Sequence, residues 1–226
     1  MGLPRRRSEV AANFRRTGRP AEMIPWREAN WCAVDLELTG LDARRDEIIA
    51  IGAAPIEQGR VVLGQSFYTL VRSSRPSAHG AVLVHKLRVA DLISAPPPEE
   101  AIELLIGALT GRVPVFHTAA VERAFLGRAF SRHRARLPAA ADTELLGRRW
   151  LGERDGAAPP RIALTSLSRS LGQQAETPHH ALGDALSTAA AFIALATHLD
   201  AREPQTVGSL VNAADRFVRP GSFGII

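Results

Sequence analysis

Cysteine and lysine are nearly absent from this chain of 226 residues. The single cysteine, Cys32, excludes a disulfide bond within the chain, so we expect its side chain to pack in the core. Lys86 is the only lysine, and the basic residues are therefore nearly all arginines. A chain of this length is enough for one domain with a substantial core.

Long apolar runs are also lacking. No segment approaches the roughly 20 apolar residues that span a membrane, and the arginines near the N-terminus precede no apolar segment typical of a secretory signal. Hydrophobic residues make up 46% of the chain and its mean hydropathy is -0.03, as in soluble globular proteins. We therefore expect a cytoplasmic protein without a membrane partner.

The formal net charge of +5 is concentrated near the N-terminus. Residues 1–28 contain seven arginines and three glutamates, which leaves an excess of four positive charges there and of one in the rest of the chain. Such a basic arm contacts phosphate groups without sequence preference, or it is a solvated tail that keeps the protein soluble. The sequence leaves both interpretations open.

Two acidic residues, Asp35 and Glu37, follow an apolar run that predicts a buried strand at 31–36. Because side chains alternate along a strand, both carboxylates point to the same face. Neighbouring carboxylates on a buried strand repel each other and are costly to desolvate, and a divalent cation such as Mg²⁺ or Mn²⁺ would resolve both problems. The alternative is an acidic pair on the solvated face of a strand.

Two later segments carry matching chemistry. His117 ends a short apolar strand at 113–116 and leads into a helical pattern that contains Glu122. His179 and Asp184 open a long alanine-rich helix that reaches about residue 199, and Asp184 would lie in its first turn, where the helix dipole favours an anion.

These three segments resemble the motifs of the DEDDh (DnaQ-like) family of 3′–5′ exonucleases, whose members include the proofreading epsilon subunit of bacterial DNA polymerase III. The first family motif, Asp-x-Glu-x-Thr-Gly, is met by residues 35–40, and the third, His-x4-Asp, by residues 179–184. The second motif departs from the family at Thr118, Val121 and Glu122, where Asn, Phe and Asp are usual. Asp142 and the following threonine resemble a further feature of the family more weakly.

The resemblance, which spans about residues 30–199, implies a ribonuclease-H-like fold, a three-layer α/β arrangement with a central mixed sheet flanked by helices. The sequence pattern agrees, because a strand meander precedes alternating strands and helices. We expect a basic N-terminal extension (1–29), an exonuclease domain (30–199) and a C-terminal tail with one short helix (200–226). Strands are predicted at 31–36, 47–56, 60–70, 113–116 and 139–142, the first of them central. Helices are predicted at 8–16, 82–92, 99–109, 119–133, 143–151, 164–171, 181–199 and 207–217.

The resemblance also implies a catalytic apparatus. Two divalent ions, Mg²⁺ or Mn²⁺, would be held by the four acidic residues of the motifs, with Asp35 bridging both. His179 would be the general base, and the product would be a nucleoside 5′-monophosphate. The metal ligands are Asp35, Glu37, Glu122 and Asp184. His180 competes for the role of base, and either histidine could instead cap the helix.

The remaining assignments concern the substrate. Thr39 and Leu41 are expected to contact the terminal nucleotide, although Leu41 could equally be a core residue, and His117 is expected to be structural. Single-stranded nucleic acid 3′ ends are the expected partner, with DNA favoured over RNA. Family members are often homodimers, and no clamp-binding peptide in the tails supports association with a polymerase.

Two other hypotheses stay open. One is an exoribonuclease of the same family, since the motifs do not separate DNA from RNA. The other is a catalytically weakened module that binds nucleic acid, because Glu122 adds one methylene where active sites are sensitive to shifts of about 1 Å.

Overall fold

The computed structural model describes residues 9–73, 75, 77–174 and 179–213. Within them a six-stranded mixed sheet separates two layers of helices, which is the predicted three-layer α/β architecture. The strands are β1 Trp31–Leu38, β2 Ile48–Glu57, β3 Arg60–Val61, β4 Phe67–Leu70, β5 Val113–Phe116 and β6 Ala141–Asp142. The helices are α1 Glu9–Thr17, α2 His79–His85, α3 Val89–Leu92, α4 Pro98–Ala108, α5 Ala119–Arg132, α6 Thr143–Asp155, α7 Leu164–Ser170, α8 Ala181–Asp200 and α9 Val207–Val211.

The first strand is central, as predicted. The strand order is β3-β2-β1-β5-β6, with β4 also paired to β2. β1 is antiparallel to β2 and parallel to β5, and β5 is parallel to β6. The C-terminal ends of the parallel strands β1, β5 and β6 therefore lie at the same edge of the sheet. The polar residues of the first two motifs begin at this edge.

The predicted third strand, 60–70, is wrong as a continuous element. It forms two short strands, β3 and β4, with the 3-10 helix Leu63–Gln65 between them. The cause lies in β2, where the Pro55 carbonyl accepts a hydrogen bond from the Val62 N–H at 2.8 Å. Proline has no N–H to return, so the hydrogen-bond ladder cannot continue past it.

Most predicted helices are confirmed within two residues, but two expectations need correction. The segment 82–92 forms two helices, α2 and α3, because Lys86 takes a left-handed conformation (φ +59°) that ends the first. α6 runs four residues beyond its predicted end, since Gly156 (φ +77°) supplies the left-handed cap there. Ser8, the first residue of the predicted helix 8–16, and the end of the predicted helix 207–217 lie outside the described residues.

Two hydrophobic cores fill the space on either side of the sheet. On one face α8 contributes Ala185, Ala189 and Phe192, which pack with Trp31 and Ala33 of β1. On the other face the alternate β1 residues pack against α1, α4 and α5; these residues are Cys32, Val34, Leu36 and Leu38. Cys32 is a free, buried thiol, and burial raises its pKa to about 12, which agrees with a packing role.

The expectation that no apolar segment is long enough to span a membrane is wrong for α8. With 20 residues it is long and apolar enough by length and composition. Half of its most apolar window is buried inside the protein, and Phe192 and Leu195 are fully inaccessible. The helix is therefore the central core helix of this fold.

The described parts of the two predicted terminal regions pack onto the same cores. Phe14 of α1 contacts Phe130 edge to face, with ring centroids 5.8 Å apart. Trp26 contacts Phe192 in the same way at 6.2 Å, and Pro25 forms a β-bridge with Thr206. These contacts join the residues before and after the predicted 30–199 domain to it.

Candidate active site

Three carboxylates from distant parts of the chain meet beside the central strand. Asp35 and Glu37 lie on the β1 face that bears α8, and Asp184 comes from the first turn of that helix. One carboxylate oxygen from each can be chosen so that all lie within 4.8 Å of one another. Glu37 is only 8% exposed, so the pair does not lie on a solvated strand face. We call Asp35, Glu37 and Asp184 the carboxylate cluster.

Gly52 allows α8 to approach the sheet closely enough to form this cluster. In β2 it pairs directly with Asp35 of β1, and on its other side with Tyr68 of β4. A Cβ atom at this position would lie 2.1 Å from the Ala181 carbonyl oxygen at the start of α8. The missing side chain is therefore what allows the N-terminus of α8, with Asp184, to lie on the sheet beside Asp35.

The residues that precede α8 hold Asp184 in place. The His179 N–H donates a hydrogen bond of 2.7 Å to Asp184 Oδ2, and His179 itself takes a left-handed conformation (φ +67°) that is uncommon for a non-glycine residue. His180 caps the helix, since its Nδ1 accepts from the Gly183 N–H at 3.4 Å. Its ring stacks on Tyr68 with centroids 4.6 Å apart. His180 therefore has a capping and stacking position. His179 is exposed and contacts Asp184 through its backbone N–H.

Glu122 lies near the cluster but outside the group that shares the 4.8 Å limit. It belongs to the first turn of α5 and is only 7% exposed. Within the described residues its Oε2 atom has no hydrogen-bond partner. Burial and the charge of Asp184 raise the pKa of Asp35, and the charge of Glu122 adds to this rise, as expected for a neighbouring carboxyl group. An unpaired buried oxygen is costly, and a cation or an ordered water would satisfy it.

A strained turn sets the position of α5. Thr118 precedes the helix with φ +63° and ψ +54°, a conformation that is strongly disfavoured for a β-branched residue. Asp142 accepts hydrogen bonds from the Thr118 N–H at 3.1 Å and the Ala119 N–H at 2.9 Å. The Thr118 hydroxyl donates to Glu144 at 3.1 Å. These bonds hold the turn, and with it the first turn of α5 that carries Glu122.

The acidic groups shift one another's pKa values upwards. Burial raises the pKa of Glu37 to about 7 and of Glu122 to about 8, with the charges of Asp184 and Asp142 respectively adding to the effect. Burial also raises the pKa of Asp35 well above its ordinary range, and the charges of Asp184, Glu122 and Glu37 raise it further. The pKa of Asp184 is raised mainly by burial, which the His179 N–H partly offsets. Crowded, desolvated carboxyl groups of this kind are typical of functional sites.

The donor set fits a hard divalent cation. All the available groups are carboxylate oxygens, which Mg²⁺ and Mn²⁺ favour, and a bound cation would reverse the pKa shifts described above. The unpartnered Oε2 of Glu122 is a further oxygen in the same region.

His117 has a structural position. Its Nδ1 lies 2.9 Å from the Thr143 hydroxyl, and its Nε2 lies 3.0 Å from the Ile162 carbonyl oxygen. Both ring nitrogens are therefore engaged in joining β5 to the start of α6 and the segment before α7. Burial lowers its pKa, so the ring is held neutral.

The two predicted substrate residues lie in the connection between β1 and β2. Thr39 is 1% exposed, and its hydroxyl is used within the loop, where it accepts from the Glu47 N–H at 2.9 Å and donates to Asp46 at 3.2 Å. Leu41 is 80% exposed, so the alternative that it is a core residue is wrong. Gly40 is required here because a Cβ atom would lie 2.5 Å from the Asp46 carboxylate. The loop thus presents Leu41 to solvent from a rigid base.

Several residues that shape the site were missed by sequence reasoning. They are Gly52, Tyr68, His85 and Glu144, and the structural role of Asp142, which the sequence showed only as a weaker family feature, was also not predicted. His85 is buried, its Nδ1 accepts from the Leu87 N–H at 3.0 Å, and the charge of nearby His179 contributes to its lowered pKa. The sequence offers a signal only for Asp142, which is an N-cap residue type directly ahead of a helix. The others depend on which strands and helices come together.

The sequence matches the model of the exonuclease family RNase_T over residues 32–192. Among characterised sequences it is 31% identical over 217 residues to the DNA polymerase III subunit epsilon-like protein of Rhodobacter capsulatus, covering 90% of this chain and 29% of that protein. A DNA polymerase III of PolC type from Thermotoga petrophila is 32% identical over 98 residues, 43% of this chain and 7% of that protein. The chain thus spans less than a third of the length of these relatives.

Solved structures share the fold. Exonuclease X in complex with 5′-overhanging duplex DNA superposes with a TM-score of 0.63 at 22% identity, covering 81% of this chain and 98% of that one. E. coli exonuclease I in complex with a dT13 oligonucleotide superposes with a TM-score of 0.64 at 15% identity, covering 77% and 42%. The family match includes the carboxylate cluster and Glu122. On the ground of this family match the chain is a member of the exonuclease family.

Proposed function

We propose that this protein is a metal-dependent 3′–5′ exonuclease that releases nucleoside 5′-monophosphates from DNA 3′ ends. The observation that carries the proposal is the convergence of Asp35, Glu37 and Asp184 within 4.8 Å, beside an exposed histidine and next to the unpaired Glu122. Family membership limits the reaction class to hydrolysis of terminal phosphodiester bonds.

Two divalent ions are the proposed cofactor. Asp35, Glu37 and Asp184 would hold the first, and Asp35 with Glu122 the second. When bound, such ions neutralise phosphate charge and increase the acidity of water. Mg²⁺ and Mn²⁺ both suit a set of carboxylate oxygens.

His179 is the proposed general base. It is exposed and its backbone N–H donates to Asp184, whereas the His180 ring caps α8 and stacks on Tyr68, so His179 is the histidine proposed to accept a proton from the attacking water. The water oxygen forms a new bond to phosphorus as the bond to the 3′ oxygen of the penultimate nucleotide breaks. That oxygen takes up a proton as it leaves, and the terminal nucleotide departs with its 5′ phosphate.

DNA is the favoured substrate. Exonuclease X forms a complex with 5′-overhanging duplex DNA, and E. coli exonuclease I with a dT13 oligonucleotide. Leu41, exposed on the loop that follows the cluster, is the proposed contact to the terminal base, with Thr39 holding that loop in place. An exoribonuclease activity is the alternative that the substrate comparison below would reveal.

A weakened, nucleic-acid-binding module is the second candidate function. The observation that favours it is that Glu122 lies outside the 4.8 Å group, with a pKa of about 8. A protonated Glu122 at neutral pH would leave the second ion with fewer charged ligands. Titration with Mn²⁺ separates the two functions, since loss of divalent-ion binding would favour the module.

A cytoplasmic location, a homodimer and association with a polymerase are hypotheses of lower rank. The relatives named above include a polymerase subunit-like protein and a polymerase, which makes replication or repair a reasonable context for this domain. Copurification and sedimentation of the full chain test them.

The experiment that tests the proposal is a gel assay with 5′-labelled single-stranded DNA and RNA of equal sequence. It compares Mg²⁺, Mn²⁺ and EDTA for the wild type, Asp184→Asn and the control Asp155→Asn, an exposed carboxylate at the end of α6. We expect a metal-dependent ladder that shortens from the 3′ end, strongest on DNA and absent in Asp184→Asn. Near-normal turnover by a folded Asp184→Asn would refute the assignment.

A further inference from the structure

A large groove lies on the opposite face of the sheet from the carboxylate cluster. Its volume is about 1070 Å³. Its floor includes Val71, Ile102 and Phe125, which belong to the core beneath α4 and α5 rather than to the core beneath α8. Its walls are α1, α4, α5 and the connection between β1 and β2. We call it the arginine groove, for the residues described next.

Arginines dominate the charge of this groove. Seven line it among the described residues, against four acidic side chains, so the formal excess is three positive charges. Three of them, Arg128, Arg132 and Arg134, come from the second half of α5 and the turn after it. Arg44 and Arg45 come from the β1–β2 connection, and all five are exposed.

The protein does not neutralise these arginines. In the described part of the chain, only Arg45 has a carboxylate within 4.0 Å, and that pair with Asp42 is itself exposed. Arg128 donates to the Ala43 carbonyl oxygen, and Arg15 of α1 donates to the Arg134 carbonyl oxygen at 3.1 Å. Carbonyl partners orient a guanidinium group without cancelling its charge.

Three of the four acidic residues of the groove have partners within the protein, and the fourth, Glu99, is exposed. Glu47 accepts from the Ser73 hydroxyl at 2.7 Å. Asp46 accepts from the Thr39 hydroxyl and from the Asp42 N–H, and so closes the β1–β2 connection. Glu103 lies 3.7 Å from His133. The charges left to face solvent are therefore mainly guanidinium groups, which bind phosphate oxygens through paired N–H donors.

The groove is connected to the catalytic residues through the chain itself. The β1–β2 connection starts two residues after Glu37 and supplies Arg44 and Arg45 to the groove wall. On α5, Phe125 of the groove floor lies one helical turn after Glu122. The groove and the candidate site therefore share two elements, although they lie on opposite faces of the sheet.

We propose that the arginine groove binds the sugar–phosphate backbone of the nucleic acid substrate, away from the bond that is hydrolysed. The inference rests on the proposed function, because it concerns how the substrate of the same site is held. It fits a backbone with one charge per nucleotide, since the arginines come from several elements of the groove wall, α1, α5 and the β1–β2 connection, rather than from one. Short substrates would not reach it.

The test is a charge-reversal pair in the groove, Arg44→Glu with Arg132→Glu, both exposed and without a side-chain partner among the described residues. The matched control is Arg161→Glu with Arg169→Glu, also exposed but beside α7. Binding of a fluorescent 20-nucleotide single strand is measured by anisotropy in EDTA at several salt concentrations. Hydrolysis of the dinucleotide pdTdT is measured separately with Mn²⁺.

We expect the groove pair to weaken binding of the 20-mer about tenfold or more and to lower its salt dependence, by about 1.4 in the slope of log K against log salt for two lost phosphate contacts. Hydrolysis of the dinucleotide should be unchanged. Equal binding by the groove pair and the control pair would overturn the inference, as would capture of a polyglutamate peptide but not of the oligonucleotide. Failure of the wild type to hydrolyse either substrate would instead refute the proposed function. The binding measurement in EDTA would still test whether the arginine groove binds the oligonucleotide.

Discussion

The two halves of the candidate site are held in place by different physical means. Asp35, Glu37 and Asp184 stand on β1 and α8, two long elements that pack through a fully buried apolar core. Glu122 stands on a helix whose start depends on the strained Thr118 and a few polar hydrogen bonds. Close packing tolerates little displacement, whereas a hydrogen-bonded turn is easier to perturb. α5 is itself packed into the second core through Phe125, Leu126 and Phe130, so the difference concerns its first turn, where the departure from the family pattern lies.

The largest effect is expected from Gly52→Ala, which disturbs the packing of α8 on the sheet beside Asp35, Glu37 and Asp184. The added Cβ would lie 2.1 Å from the Ala181 carbonyl oxygen, so α8 must move away from β2 and take Asp184 with it. We expect a loss of about 3 kcal/mol in the free energy of unfolding and a loss of most activity. Urea denaturation and the gel assay measure both.

The control for this substitution is Gly64→Ala, in the 3-10 helix Leu63–Gln65, where nothing lies within 4 Å of an added Cβ. It should change the free energy of unfolding by less than about 0.5 kcal/mol. Equal stability and activity of both variants would show that the approach of α8 does not depend on Gly52.

The next largest effect is expected at Glu122. Glu122→Asp shortens the side chain to the length usual in the resembling family, and activity should be kept or raised if Glu122 serves the site. Glu122→Ala removes the carboxylate and should lower kcat about 100-fold or more. The exposed Glu100→Ala is the matched control. Indifference to both Glu122 changes would place this residue outside the site.

The free energy of unfolding should depend on pH differently in the metal-free protein and in the protein with bound Mn²⁺. The folded pKa values of Glu37 and Glu122, about 7 and 8, lie above the ordinary 4.5, so the folded state binds more protons than the unfolded state between these values. Stability in EDTA should therefore fall as pH rises from about 4.5 to 8. Added Mn²⁺ should restore it most at the upper end, because metal binding competes with protons.

This dependence is measured by urea denaturation at several pH values with EDTA or Mn²⁺. Glu122→Gln removes one of the two groups, so the fall in EDTA should become smaller. If the free energy of unfolding falls with pH equally steeply in Glu122→Gln and in the wild type, the raised pKa of Glu122 does not contribute to the pH dependence.

The smallest effect is expected at Thr118. Asparagine tolerates the left-handed conformation better than threonine, so Thr118→Asn should raise the free energy of unfolding by about 1 kcal/mol. Thr118→Val keeps the strain and loses the hydroxyl bond to Glu144, and should lower it by about 1 kcal/mol. If both substitutions act in the same direction, strain at this turn is not the governing term.

Much of the fold and the packed half of the site could be predicted from the sequence. The alternation in β1 correctly placed Asp35 and Glu37 on one face, and the apolar pattern of α8 placed Asp184 in its first turn. Both are local periodicities, which depend little on the rest of the chain. The sheet with β1 at its centre followed from the order of strands and helices.

The remainder depends on contacts between distant segments. That Gly52 must lack a side chain becomes visible only once β2 and α8 are in contact. The break between β3 and β4 requires knowing that Pro55 faces them. The bonds from Asp142 to the start of α5 join residues more than 20 positions apart. Local patterns carry no signal for such pairs, except where a cap residue precedes a helix.

The most direct test of the account is a calorimetric titration with Mn²⁺ of the wild type, Asp184→Asn and Glu122→Gln at pH 8. The account predicts that Glu122→Gln still binds one ion, because the packed carboxylate cluster is intact, and that Asp184→Asn loses tight binding. Loss of all binding in Glu122→Gln, or unchanged binding in Asp184→Asn, would contradict the claim that Asp35, Glu37 and Asp184 form the primary metal site.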